Sequence, residues 1–257
     1  MTGALLTVAG AGHRYGDRFG CRDVSFDIWP GEVVAVVGES GSGKSTLLGL
    51  LAQRLSVDEG SIRYRPADGK ERDLAELSER EVRSLWRHDW GFVHQNPADG
   101  LRMHVSAGGN IGEPLMATGW RNYARIRESA LEWLARVEIP LDRIDDPPWM
   151  FSGGMRQRLQ IARNLVVSPR LVFMDEPTSG LDVSVQAAVL DLVRGLVAEL
   201  GLAVVIVTHD LSVARLISHR TIVMKDGTVV ESGLTDRVLD DPQAPYTQLL
   251  VSSILQG

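Results

Sequence analysis

Short apolar runs bounded by turn residues divide the chain into strand-length pieces, with helical periods between them. Val33 to Val37 is continuously apolar, the pattern of a strand buried on both faces of a parallel sheet. Leu171 to Met174 and Leu202 to Val207 read the same way. Val24 to Ile28 instead alternates and runs into Trp29-Pro30-Gly31-Glu32, a turn. Helical spacing predicts helices over Thr46 to Leu55, Gly153 to Val167, Val183 to Glu199 and Leu211 to Ile217. Tyr123 to Val137 carries apolar residues at Ile126, Ala130, Leu131, Leu134 and Val137, again a helical period. Ser78 with Glu81 forms a capping box that opens a helix to about Arg87, and Gly91-Phe92-Val93 returns as a strand. Thr221 to Met224 and Thr228 to Glu231 flank Asp226-Gly227, which predicts a β-hairpin. The pattern is that of an α/β fold around a parallel core, split by a helical insertion near 96–165 and followed by a tail over about 236–257.

Composition narrows the class. The chain has 257 residues, 44% apolar and 23% charged, which suits a folded core without covalent staples. Cys21 is the only cysteine, so neither an intrachain disulfide nor a thiolate-held cluster is available. A net charge of −6 argues against a broad nucleic-acid-binding face. The longest apolar runs fall far short of a membrane span. The first residues lack a basic stretch followed by a long apolar one, so a cytoplasmic protein is expected, with membrane work left to a partner.

The chemistry enters with Gly38-Glu39-Ser40-Gly41-Ser42-Gly43-Lys44-Ser45, which matches G-x-x-x-x-G-K-[ST] between an expected strand and an expected helix. Glycines let the backbone curl so that N–H groups converge on phosphate oxygens, and the helix adds its positive end. Lys44 would bridge the β- and γ-phosphates and the Ser45 hydroxyl would ligate Mg²⁺. A phosphate loop needs an acidic partner after a neighbouring strand, and Leu171-Val172-Phe173-Met174-Asp175-Glu176 supplies one. Asp175 would bind Mg²⁺, and Glu176 would act as general base toward the attacking water.

Phe151-Ser152-Gly153-Gly154-Met155-Arg156-Gln157-Arg158 resembles the signature motif of ABC-type ATPases, with Phe151 in place of the usual Leu and Met155 in place of the usual Gln. Asp175 to Asp182 resembles the Walker B and D-loop segment of that family, Gln95 its Q-loop glutamine and His209 its switch histidine. The motifs stand in order along essentially the whole chain. The resemblance implies one nucleotide-binding domain over 1–257: a P-loop NTPase core with a mainly parallel sheet, an antiparallel β subdomain and a helical subdomain inserted at about 96–165. It implies that Tyr15 stacks on adenine and that the segment from Gly38 to Thr46 cradles ATP. Gln95 contacts Mg²⁺ or the attacking water, and His209 contacts the γ-phosphate. Ser152, Gly153 and Gly154 reach ATP held by a second subunit, either an identical chain or a related ABC chain, and Asp182 lies at that dimer interface. Catalysis would fall to Glu176, His209 and Gln95, and the metal to Ser45, Gln95 and Asp175.

Two branches fit. Asp99 to Gly112 resembles the ATP-binding subunits of bacterial carbon–phosphorus lyase systems, as do Gly20-Cys21-Arg22-Asp23-Val24 and the tail from Tyr246 to Ser253. That branch implies docking on a lyase core that cleaves alkylphosphonates. Dipeptide, oligopeptide and nickel importers share the Met-containing signature and a similar Pro-Tyr-Thr-Gln-Leu-Leu tail, and imply a membrane permease as partner. Their Q-loop usually runs into a Ser-Leu-Asn-Pro-like stretch, where this chain has Asn96-Pro97-Ala98-Asp99-Gly100-Leu101.

Overall fold

A computed structural model describes residues 3–254; Met1, Thr2 and residues 255–257, the last three of the expected tail, lie outside the described residues. In chain order the elements are β1 (Leu6–Tyr15), β2 (Arg18–Ile28), β3 (Val33–Val37), α1 (Lys44–Leu51), β4 (Glu59–Tyr64), β5 (Arg72–Asp73), α2 (Glu79–His88) and β6 (Trp90–Val93). There follow α3 (Pro97–Gly100), α4 (Ala107–Ala117), α5 (Tyr123–Arg136), α6 (Gly153–Leu165), β7 (Leu171–Asp175) and α7 (Val183–Leu200). The chain closes with β8 (Ala203–Thr208), α8 (Leu211–Ile217), β9 (Arg220–Lys225), β10 (Thr228–Leu234), α9 (Thr235–Asp240) and α10 (Pro245–Ile254). Two compact units result: one joins the chain up to Val82 with the part from Gly201 onward, and the other is Arg83–Leu200.

In the first unit β2, β1, β4 and β5 form an antiparallel sheet in that order. Buried Leu6, Val8, Val24, Phe26, Ile28, Ile62 and Tyr64 supply its apolar side. β3 pairs in parallel with β8 on one side and β9 on the other, so all five of its residues are buried, as a continuous apolar run demands. β9 and β10 form the expected hairpin, with Lys225 opposite Thr228 and both Asp226 and Gly227 at positive φ. α1 starts two residues before the expected position and stops at Leu51 instead of Leu55. There the N–H groups of Arg54 and Leu55 both turn back to the Gly49 carbonyl, at 2.8 and 3.1 Å, and Gln53 takes a left-handed φ of 52°. A local C-terminal cap thus overrides the helical period that Leu55 would have continued. Cys21 is fully buried on β2, and burial pushes its thiol up to about 11.

The second unit pairs β6 with β7 in parallel, Phe92 opposite Phe173, and clusters Trp86, Trp90, Phe92 and Phe173 at centroid distances of 5.6 to 6.5 Å. Its helices α3 to α6 fall between Pro97 and Leu165. α5 buries Ile126, Ala130, Trp133 and Leu134, so Trp133 fills the place expected for Leu131, which is half-exposed. The Ser78 capping box forms as expected: Ser78 N–H donates to Glu81 at 2.9 Å, and Glu81 N–H donates to the Ser78 hydroxyl at 3.4 Å. Among the described residues no helix is long and apolar enough to cross a membrane.

The chain end is tied to the first unit by Glu231 on β10, whose carboxylate accepts from the N–H groups of Gln243 at 2.9 Å and Ala244 at 3.0 Å, ahead of α10. Burial pushes that carboxyl up, but the donated N–H groups, Thr247 and the charge of Arg237 together outweigh it and hold it below the ordinary carboxylate range. A depressed carboxyl stabilises the fold fully above the ordinary glutamate value of about 4.3 and loses that contribution as pH falls through its depressed value. Glu231→Gln should therefore be less stable than wild type at neutral pH, with the difference shrinking in acid. Urea unfolding at a series of pH values checks this; a difference independent of pH would contradict it.

Candidate functional site

The phosphate-loop sequence in the first unit folds as its glycines require. Gly38 has φ 150° and Gly43 φ 100°. A Cβ on Gly38 would overlap the Met224 carbonyl oxygen, and one on Gly43 would overlap the Gly20 carbonyl oxygen. Both positions therefore exclude side chains twice, by dihedral and by space. Gly227 N–H holds the Ser42 carbonyl at 3.0 Å, so the β9–β10 turn braces the loop from outside. α1 opens at Gly43 without a side-chain cap, and its first helical bond is Leu47 N–H to Gly43 oxygen at 2.9 Å. The N–H groups of Lys44, Ser45 and Thr46 precede that bond at the positive end of the helix, the arrangement that receives an anion.

Lys44 is only 6% exposed. Its ammonium donates to the Gly38 carbonyl at 2.8 Å, the Glu39 carbonyl at 2.7 Å and the Ser42 hydroxyl at 3.5 Å. Glu39, Ser40, Gly41 and Ser45 are exposed, and a Cβ on Gly41 would meet nothing within 4 Å, so the loop's mouth is open on that side. β3 and β8 end level, Val37 opposite Thr208, so Gly38 and His209 are the next residues on neighbouring strands. Tyr15, 54% exposed at the end of β1, stands edge-to-face with His13 at 4.7 Å. A Cβ on Gly20 would lie 2.8 Å from the Tyr15 ring and 2.7 Å from Thr46, so bare Gly20 lets the tyrosine and the start of α1 share one spot.

The second unit gathers the rest. β6 and β7 end in register, Val93 opposite Met174, and bring Gln95 beside Glu176. The Gln95 amide donates to the Glu176 carboxylate at 3.1 Å and to the Ser179 hydroxyl at 3.2 Å. That leaves its amide oxygen as the side-chain acceptor. Glu176 takes a positive φ of 41° directly after Asp175, the last residue of β7. Such a dihedral is uncommon outside glycine and asparagine and is found at constrained functional positions. Ser152 caps α6, accepting from Met155 N–H at 3.3 Å. Gly153 packs on Leu181, and a Cβ on Gly154 would overlap Val185, so the signature turn lies against the segment that carries exposed Asp182.

The motif reading missed the residues that hold the main chain just before Gln95. Gln157 and Gln160 of α6 are buried; Gln160 accepts from His94 N–H at 2.6 Å and returns a bond to the His94 carbonyl at 3.1 Å. Gln157 reaches the same carbonyl at 3.5 Å, and Asn164 accepts from Phe92 N–H at 2.9 Å. Three amides spaced by three and four along a helix that must bury that face were the available signal. Gly20 was a second omission, visible only once its neighbours are known.

A family model described as ABC transporter matches residues 21–179, and the chain belongs to that family. It is an ATP hydrolase of the ATP-binding cassette class. Over its whole length it is 64% identical to all of the putative phosphonates utilization ATP-binding protein PhnK of Escherichia coli K12. The dipeptide transport ATP-binding protein DppF of the same organism is 41% identical, over 90% of this chain and 67% of its own. Among solved structures, dimeric MJ0796 bound to ADP and Pi superimposes with a TM-score of 0.78 at 30% identity, over 90% of this chain and 98% of that one. The cbiO1 subunit of a Clostridium perfringens ABC transporter complex gives 0.81 at 28%, over 93% and 91%.

Gly43→Ala should lower both ATP affinity and stability, since the added methyl group meets main chain at a left-handed φ. A loss of about 1 kcal/mol or more is expected from such strain. Denaturant unfolding and nucleotide titration check it; wild-type values in both would contradict the reading.

Proposed function

We propose that this chain is the ATP-hydrolysing subunit of an alkylphosphonate-degrading system, acting as a head-to-tail pair of ABC chains on a carbon–phosphorus lyase core. The observation that carries the reading is the full-length 64% identity to a protein named for phosphonate utilization, against 40–42% for relatives named for peptide import or dipeptide transport. Asp99 to Gly112 supports it locally. Buried Asn110 there accepts from Arg102 N–H at 2.8 Å and donates to the Arg102, Val105 and Ser106 carbonyls, fixing the loop that follows Gln95. Val105, Met116 and Tyr123 remain exposed nearby, an apolar surface suited to a protein partner.

In the proposed mechanism the loop from Gly38 to Thr46 holds the triphosphate, Lys44 takes the β- and γ-oxygens, and Tyr15 stacks on adenine. Ser45 and Asp175, with the Gln95 amide oxygen, are hard oxygen donors that fit Mg²⁺, and the ion would neutralise charge on the phosphates. Glu176 accepts a proton from water as the water oxygen bonds the γ-phosphorus and the bond to the bridging β,γ-oxygen breaks. The donated Gln95 bond orients that carboxylate, and His209 contacts the γ-phosphate. Ser152, Gly153 and Gly154 serve ATP on the second chain, with Asp182 at the interface, so an isolated chain binds ATP but turns it over slowly.

Glu176→Gln should retain ATP binding and lose about 10²-fold or more in turnover within the assembled complex. Wild-type turnover would remove Glu176 from the role of base. Tagged chain drawn from cells grown on phosphonate should bring down lyase subunits; recovery with integral membrane permeases instead would favour the importer reading.

A further inference from the structure

The C-terminal helix α10 reaches the phosphate loop through Tyr246. Glu39 N–H donates to the Tyr246 hydroxyl oxygen at 3.2 Å. The peptide unit that carries this N–H also carries the Gly38 carbonyl, and in a trans peptide the two groups point in opposite directions. At the opposite edge of the same plane the Gly38 carbonyl accepts from the Lys44 ammonium at 2.8 Å. One rigid peptide therefore has Tyr246 on one side and Lys44 on the other.

Tyr246 is itself held. Lys225, which ends β9, sits 4.9 Å from the centre of its ring. The preceding residue, Met224, places its carbonyl against Gly38. Glu231 on β10 accepts from Gln243 and Ala244, fixing the entry to α10 two residues before the tyrosine. The ring is thus positioned from two strands before it reaches the loop.

We propose that Tyr246 is a positioning residue for nucleotide binding: it fixes the Gly38–Glu39 peptide and, through it, the Lys44 ammonium. Without the hydroxyl, the peptide can rotate and the lysine loses one of the carbonyls that aim it at the β- and γ-phosphates. Affinity should fall for nucleotides that carry those phosphates and stay unchanged for AMP, which lacks them. The inference rests on Lys44 being the phosphate-binding lysine.

The test uses the full chain with Tyr246→Phe, which keeps the ring and its contact with Lys225. Calorimetric titration with MgATP should show about a threefold to tenfold loss of affinity, the worth of one hydrogen bond. AMP affinity, measured by competition, and the melting temperature of the nucleotide-free protein should match wild type. Unchanged ATP affinity, or an equal loss for AMP and ATP, would overturn the role. Lys44→Ala measured in parallel separates the two readings. A loss there with none in Tyr246→Phe removes only Tyr246, whereas no loss in either removes the phosphate-loop assignment beneath it.

Discussion

A buried ammonium has to be bonded, and the shape of the phosphate loop follows from how Lys44 meets that demand. Among its partners are main-chain carbonyls of the loop itself, at Gly38 and Glu39, with the Ser42 hydroxyl further off. For those carbonyls to turn inward, the backbone must pass through left-handed glycines at Gly38 and Gly43, which in turn lets Met224 and Gly20 approach closely. The hairpin turn then closes on Ser42 through Gly227. The loop is a pre-shaped cradle because its own lysine holds it in that shape, so little ordering remains for a ligand to supply.

In the second unit buried amides play the corresponding part. Gln157, Gln160 and Asn164 line one face of α6 and hold the main chain of β6 at Phe92 and of His94 just after it. A buried amide that satisfies both its donor and its acceptor fixes register more sharply than an apolar contact does. The helix that begins at the signature serine therefore also positions the residue before Gln95. A shift of α6 along its axis would move the glutamine and, through it, the Glu176 carboxylate.

Much of this could be read in advance. Continuous apolar runs located β3, β7 and β8 because a strand covered on both faces leaves no polar position. The capping box at Ser78 and the turn at Asp226-Gly227 were legible because local chemistry decides them. Leu55 misled because its apolar period matches α1 while the chain had already turned back on Gly49. Motif spacing pointed to Lys44 and Glu176, and the family resemblance to Ser152. It could not identify Gly20, Gln160 or Tyr246, whose importance comes from residues distant in sequence and brought near by folding.

Tyr246 meets the main chain of residue 39 and not its side chain. Every amino acid except proline offers that N–H. Position 39 can therefore drift through evolution while the contact persists, and the pair leaves no covariation for an alignment to detect.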